Sequence, residues 1–133
     1  MSGVLPESDA FGEFWTERRL CTVTTLRPDG TPHVVPMGVV LDLESDTAWA
    51  ITSQDSRKVA NLRAAGPDGA PFAACQVDGR HWSTIEGRAV VLDDPASVEE
   101  AVRRYAERYK VPRDNPRRVA LRVVVTRVLG NVR

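Results

Sequence analysis

Residues 20–41, LCTVTTLRPDGTPHVVPMGVVL, predict a β-hairpin and with it the class of the fold. Two runs rich in β-branched residues flank the tetrapeptide RPDG at 27–30. Proline at the second turn position and glycine at the fourth are typical of a type I turn. Pro32 and Pro36 cannot donate a hydrogen bond to a strand ladder. The second run is therefore expected at a sheet edge, at a bulge, or with one side unpaired.

Further strands follow outward from this hairpin. TAWAITS (47–53), FAACQVDG (72–79), HWSTIEGRAVVL (81–92) and VALRVVVTRVLG (119–130) carry the β-rich pattern. About six antiparallel strands, mostly joined by hairpins, predict a mainly β (α+β) fold: a small barrel with short helices at its periphery. The length of 133 residues predicts a single domain spanning 1–133. A Rossmann domain is not expected, because the chain has neither a parallel βαβ series nor a G-x-G-x-x-G motif.

Three short helices are predicted between the strands. The first is capped by Ser8 or Asp9 and the third by Asp94, with proline at its first position. The second begins at Asp55 and ends before Gly66, a residue suited to the left-handed conformation that follows many helices. The inner face of the first helix consists of Phe11, Phe14 and Trp15.

The composition limits the classes of function. The formal net charge is zero, so no global field steers nucleic acid or an anionic membrane to the protein, and neither partner is expected. No apolar run reaches the roughly 20 residues that span a bilayer. The first 15 residues lack the basic and apolar regions of a signal peptide, which predicts a cytoplasmic protein.

Cysteine and histidine do not predict a metal site. Cys21 and Cys75 each lie in an apolar stretch, so buried free thiols are favoured over a disulfide or a nucleophile. With only His33 and His81 beside them, no spacing typical of metal ligands emerges.

Positive charge stands at the start of the second predicted helix, in ITSQDSRKVANLRAAG (51–66). A helix N-terminus attracts anions through its free amides and its dipole, and acidic residues are normally favoured there. Ser56, Arg57 and Lys58 would add a hydroxyl donor and two cations to such an anion site. The alternative is that both cations are simply solvated, with Asp55 neutralising one of them.

Two other positions have both a functional and a structural interpretation. His33 is a candidate general acid or an inert strand residue, and Trp82 could stack on a ring, close a dimer interface or pack in the core. Glu86 and Arg88, on either side of Gly87, are explained by ordinary cross-strand ion pairs. No nucleophile with its base, no paired carboxylates and no P-loop occur in the sequence. No catalytic residue is assigned beyond His33, and a bound cofactor is expected to supply the chemistry.

Four segments taken together identify a family: TTLRPDGTPHVVPMG (24–38), SRKVANL (56–62), QVDGRHWSTIEGRAVV (76–91) and YAERYKVPRDNPRRV (105–119). From residue 20 to 130 the chain resembles the split β-barrel flavin/deazaflavin oxidoreductases of the pyridoxamine 5'-phosphate oxidase-like superfamily. Within it, the chain is most similar to the actinobacterial coenzyme F420-dependent biliverdin reductase group.

The resemblance implies a homodimer with cofactors at the subunit interface and coenzyme F420 as the cofactor, with FMN as the alternative. Lys58 would bind the cofactor phosphate. The ring system would lie along the second run of the hairpin and the TAWAITS strand, where the implied ring-contacting residues are His33, Val35, Pro36, Met37, Thr52 and Ser53. Hydride would pass from C5 of the reduced deazaflavin to a conjugated small molecule, for biliverdin to its central methine carbon. The cofactor-binding residues that the resemblance implies are His33, Val35, Pro36, Met37, Thr52, Ser53, Ser56, Arg57, Lys58, Asn61 and Trp82.

Two departures from the family pattern bear on the ligands. Arg57 adds a charge that fits the phosphate or the polyglutamate tail of F420, and the residues Pro36, Met37 and 66–72 alter the pocket wall. Two other functions stay open: an FMN-dependent oxidoreductase of the same fold, and a non-catalytic protein that binds F420, flavin or haem.

Overall fold

The computed structural model describes residues 3–133, which form seven strands and three α-helices. The strands are β1 (Cys21–Leu26), β2 (Pro32–Met37), β3 (Val40–Asp42), β4 (Thr47–Ser53), β5 (Ala70–Asp78), β6 (His81–Leu92) and β7 (Arg118–Gly130). The helices are α1 (Asp9–Thr16), α2 (Arg57–Ala64) and α3 (Pro95–Arg108). All strand pairs are antiparallel, in the order β2-β1-β5-β6-β7-β4-β3. The predicted mainly β fold with peripheral helices is confirmed.

The order of the strands requires the sheet to curl into a barrel. β2 and β3 lie at opposite edges of the sheet, yet only Gly38 and Val39 separate them in the chain. Three Cα steps span at most about 11 Å, so the two edges must come close together. Because β2 and β3 do not pair with each other, the barrel is split between them. The sequence did not distinguish β3 from β2, since the valines at 39 and 40 continue the β-rich pattern.

The hairpin of β1 and β2 has the predicted turn. The amide of Gly30 donates to the carbonyl of Arg27 at 2.8 Å, and Gly30 has a φ of 86°. β2 is an edge strand, with Pro32 opposite Leu26 and Pro36 opposite Thr22 in an unbroken register. Of the three expectations for the prolines, the edge position is confirmed.

The helix caps agree with those predicted from the sequence, except at the start of α2. Ser8 caps α1 and Asp94 caps α3, as their side chains accept from the amides of Phe11 and Ser97. The predicted start of α2 at Asp55 is wrong: α2 begins at Arg57 with Ser56 as its N-cap, whose side chain accepts from the amide of Val59. Asp55 precedes this cap and lies outside the helix, and its carboxylate binds the guanidinium of Arg117.

Arg108 is a buried charge that the sequence did not predict, because a basic residue at the end of α3 already agrees with the helix dipole. Its side chain is only 7% exposed. Nε donates to the carbonyl of Glu17 at 3.0 Å, Nη1 to that of Val39 at 2.5 Å, and Nη2 to Oε1 of Gln76 at 2.7 Å. Arg108 therefore links α3 by hydrogen bonds to the segment after α1, to β5 and to the segment between β2 and β3, beside the split of the barrel.

The cysteines are free, as predicted. Cys21 is buried, and burial raises the pKa of its thiol to about 11, which excludes a thiolate nucleophile at neutral pH. Cys75 is only half-buried, opposite Thr22 and Thr84 on the outer face of the sheet. Residues 3–133 contain no group of three side chains able to hold a metal ion. None of the helices in this range is long and apolar enough to cross a lipid bilayer.

Candidate functional site

A cluster of cationic side chains lies where the β1–β2 turn meets the start of α2. We call Arg27, His33, Arg57 and Lys58 the cation cluster. The three permanent cations are close enough to His33 to lower the pKa of its imidazole, after the larger effect of burial. The structure thus brings three of the predicted cofactor residues together and adds Arg27, which the sequence analysis had treated only as part of a turn.

The cation cluster has no internal counter-ion. Within residues 3–133, no carboxylate lies within 4.0 Å of Arg27, Arg57 or Lys58. In the alternative interpretation Asp55 neutralised Arg57 or Lys58, but its carboxylate binds the guanidinium of Arg117. That part of the alternative is wrong, because the loop before β7 reaches the start of α2 and Arg117 pairs with the carboxylate.

Lys58 is the most deeply placed of the three permanent cations. Its side chain is half-buried, and burial alone lowers the pKa of its ammonium group. An ammonium group loses hydration free energy on burial, and a nearby anion can offset that cost. The free amides at the N-terminus of α2 add to the local positive potential. The arrangement is therefore suited to binding an anionic group.

Two buried polar atoms beside the cation cluster have no hydrogen-bond partner in the described part of the chain. They are Nδ1 of His33 and Oδ1 of Asn61. Asn61 is buried, and its Nδ2 donates to Oγ1 of Thr25 at 3.0 Å. Thr25 lies directly opposite His33 in the β1–β2 ladder. Because buried polar groups are rarely left unsatisfied, these atoms point to a ligand that donates to the Asn61 oxygen and forms a hydrogen bond with the His33 imidazole.

A groove of about 420 Å³ opens beside the split of the barrel. It is lined by three of the predicted ring-contacting residues, Met37, Thr52 and Ser53. Gly38 also lines it, and a Cβ there would come within 2.9 Å of the rings of Tyr105 and Tyr109. Glycine is thus needed for the tyrosines to pack against this wall. The other lining residues are Leu20, Ile51, Tyr105, Lys110, Pro112, Arg113, Asn115 and Arg118.

The groove and the cation cluster meet through the side chain of Thr52. Its hydroxyl donates to Oγ of Ser56 at 3.3 Å, and Ser56 is the N-cap of α2 next to Arg57 and Lys58. Val35 is half-buried and lies on the same face of β2 as His33 and Met37, between the cluster and the groove. These features form one continuous surface.

Two predicted cofactor residues do not join this surface. Pro36 is exposed and lies opposite Thr22, which is also exposed. Trp82 is 38% exposed and paired with Val77, which is also exposed, so its core-packing interpretation is wrong. Trp82 does not line the groove and lies outside the cation cluster, so the fold of the chain does not bring it to a ligand there.

The residues around Gly87 are partly explained by ion pairs. Glu86 lies 3.8 Å from Arg127 on the neighbouring strand, which confirms a cross-strand pair. Arg88 instead donates to the carbonyl of Gly69 at 2.7 Å, so the ion-pair interpretation is wrong for this residue.

Sequence reasoning missed the basic residues of the 109–117 loop and the start of β7. Lys110, Arg113 and Arg118 line the groove, although they lie more than 50 positions from Thr52. The only available signal was the density of arginine in VPRDNPRR (111–118).

Comparison with known proteins assigns this arrangement to a family. Residues 8–131 match the family described as pyridoxamine 5'-phosphate oxidase, so the chain belongs to that family. A curated relative, the F420H2-dependent biliverdin reductase of Mycobacterium tuberculosis (strain CDC 1551 / Oshkosh), is 44% identical over 124 residues. The alignment covers 93% of this chain and 88% of the relative.

Solved structures share the fold. The crystal structure of a conserved hypothetical protein from Mycobacterium tuberculosis superposes with a TM-score of 0.75 at 24% identity, covering 97% of this chain and 87% of that one. A structure described as an F420 reductase gives a TM-score of 0.71 at 22% identity, covering 94% of this chain and 98% of the other.

Proposed function

We propose that this protein is an F420H2-dependent reductase that acts on a conjugated small molecule, with biliverdin as the first candidate. The observation that carries the proposal is the cation cluster without a counter-ion, next to a groove lined by the predicted ring-contacting residues. The name of the relative at 44% identity supports the choice of cofactor and of acceptor.

The residues present fit a cofactor that carries a phosphate and a planar ring. Lys58 and Arg57 would hold the phosphate, together with the first amides of α2. The two unsatisfied buried atoms, on His33 and Asn61, would each gain a hydrogen-bond partner. When bound, reduced F420 supplies the hydride that the acceptor takes up.

The groove would orient the ring and the acceptor. Met37 and Ile51 contribute apolar surface, while Thr52 and Ser53 place hydroxyl groups along the same wall. This composition is typical of small-molecule sites, in which a few polar groups fix orientation inside an apolar cleft. The protein's part in the reaction is to position both reactants and to exclude water from between them.

A homodimer would complete the site. Several large apolar side chains remain between 38% and 60% exposed on strands β1, β2, β5, β6 and β7: Leu26, Val34, Val77, Trp82, Val124 and Leu129. Such exposed apolar surface is uncommon on a monomer and is typical of an interface. We infer that a second copy of the chain covers it and that Trp82 reaches the partner's groove.

The proposal is tested by measuring F420 binding and F420H2 oxidation in the same preparation. Purified protein is titrated with F420 and, separately, with FMN, and turnover is followed from deazaflavin absorbance with biliverdin and a panel of conjugated acceptors. We expect saturable F420 binding and acceptor-dependent oxidation. Preferential FMN binding would favour the flavin-dependent alternative. Saturable F420 binding without turnover of any acceptor would favour a non-catalytic carrier.

A further inference from the structure

Three basic side chains on the groove lie away from the cation cluster. We call Lys110, Arg113 and Arg118 the basic rim; all three line the groove together with Thr52 and Ser53. Within residues 3–133 none of them has a carboxylate within 4.0 Å. What sets the rim apart from other basic residues is its place on the groove: Arg103, for example, pairs with both Glu100 and Glu107 on the exposed face of α3, and Arg122 is unpaired in this range but lies outside the groove.

The loop that carries the basic rim is fixed to the end of β4. Nδ2 of Asn115 donates to Oγ of Ser53 at 3.2 Å, and the amide of Gln54 donates to the carbonyl of Arg117 at 2.8 Å. Arg118 lies opposite Ser53 in the β4–β7 ladder, and its guanidinium donates to the carbonyl of Arg113. The backbone of the loop and the side chain of Arg118 are therefore held in place before any ligand arrives, which reduces the entropy lost on binding.

The position of the rim suggests which anion it receives. The cation cluster already accounts for the cofactor phosphate, and the glutamate tail of F420 is attached through that phosphate. The rim lies instead beside the ring-contacting residues Thr52 and Ser53, with Tyr105 on the same wall. An acceptor lying over the ring would thus have its own substituents at the rim.

We propose that Lys110, Arg113 and Arg118 bind the carboxylate groups of the acceptor and thereby select conjugated substrates that carry acidic side chains. For biliverdin these groups are the two propionates. The inference rests on the proposed function, since it takes the groove to be the place where acceptor and cofactor meet. Arginine is well suited to the role because its planar guanidinium binds a carboxylate through two hydrogen bonds.

The test compares biliverdin with its dimethyl ester, in which both propionates are uncharged. Arg113→Gln and Arg118→Gln are measured beside Arg122→Gln, a matched control on the same strand as Arg118 that is exposed and outside the groove. The readouts are KM for each acceptor and, by direct titration without turnover, Kd for F420 species with short and long tails. Thermal unfolding shows whether each variant is folded. If Arg118→Gln is unstable, Arg113→Gln still tests the proposal, because Arg113 is exposed in a loop.

We expect each rim variant to raise KM for biliverdin about tenfold, because each variant loses one charge-assisted hydrogen bond to the acceptor. The KM for the ester, the Kd for F420 and all values of the control should stay unchanged. Equal changes for the acid and the ester, or none, would overturn the inference while leaving the proposed function standing. A loss of F420 affinity that grows with tail length would also overturn it, by assigning the rim to the cofactor tail. If the wild-type protein does not bind F420 at all, both the proposed function and this inference are wrong.

Discussion

Arg117 donates from Nε and Nη2 to the two carboxylate oxygens of Asp55, at 2.5 and 2.6 Å. The pair holds the pKa of the Asp55 carboxyl below its ordinary value, so the carboxylate is charged at neutral pH. It also directs that charge away from Arg57 and Lys58, which follow Asp55 by only two and three positions. The ion pair thus keeps the cation cluster available for a ligand.

The consequence can be tested with a double variant. Arg117→Ala should weaken F420 binding severalfold, because the released Asp55 carboxylate can then neutralise the neighbouring cations. Adding Asp55→Asn should restore the affinity, since no free carboxylate remains. Titration of F420 into the wild type and both variants measures this. An affinity that stays low in the double variant would show that Arg117 acts in another way.

The exposed apolar face predicts the oligomeric state. Light scattering should give twice the protomer mass of 14.7 kDa for the wild type. Val34→Asp, on an edge strand with its side chain 57% exposed, should shift the protein to monomer and weaken cofactor binding. The control is Leu43→Asp, since Leu43 is 43% exposed in the turn between β3 and β4 and should be neutral. A wild-type monomer that binds F420 at full affinity would contradict the interface.

Arg108 predicts a large effect on stability. Arg108→Ala removes a charged donor from the carbonyls of Glu17 and Val39 and from the amide oxygen of Gln76; Val39 and Gln76 then keep only the longer hydrogen bonds from Tyr109 and Cys21. We expect a loss of about 3 kcal/mol in the free energy of unfolding, measured by urea denaturation. Arg103→Ala, an exposed position on the same helix, should change it by less than about 1 kcal/mol. Similar losses at both positions would contradict the structural role of Arg108.

His33 predicts a dependence of stability on pH. Burial and the neighbouring Arg27, Lys58 and Arg57 lower the pKa of its imidazole from the ordinary value of 6.5. As the pH falls below 6.5, the unfolded chain takes up a proton that the native protein resists, so the native state loses stability. His33→Gln should remove this contribution. We expect the free energy of unfolding to decrease more for the wild type than for the variant between about pH 7 and pH 5. Parallel curves would show that His33 titrates alike in both states.

Local features of this protein could be predicted from the sequence because they depend on neighbouring residues. The RPDG turn, the caps at Ser8 and Asp94, and the edge position of the prolines are of this kind. An anion site at Lys58 is predicted from the charges at a helix start and narrowed to a cofactor phosphate by the family resemblance, and it stays a prediction. The single-domain organisation and the cytoplasmic location stay predictions.

The missed features depend on contacts between distant parts of the chain. Asp55 and Arg117 are 62 positions apart, and Arg108 is 91 positions from Glu17. Nothing near Arg108 in the sequence distinguishes a buried arginine from a solvated one at a helix end. The basic rim was missed for the same reason, because the pairing of β4 with β7 brings its loop to the end of β4.

The most direct test of the account is the affinity of F420 for Lys58→Ala. The control is Arg63→Ala, since Arg63 lies on the same helix, is exposed and faces Asp93 at 3.5 Å, away from the cluster. We expect Lys58→Ala to weaken F420 binding by roughly 10- to 100-fold, because a charge-assisted hydrogen bond to the phosphate is lost. The unfolding transition should be unchanged. Arg63→Ala should bind like the wild type. Equal affinities for wild type and Lys58→Ala would contradict the assignment of the cation cluster to the cofactor phosphate.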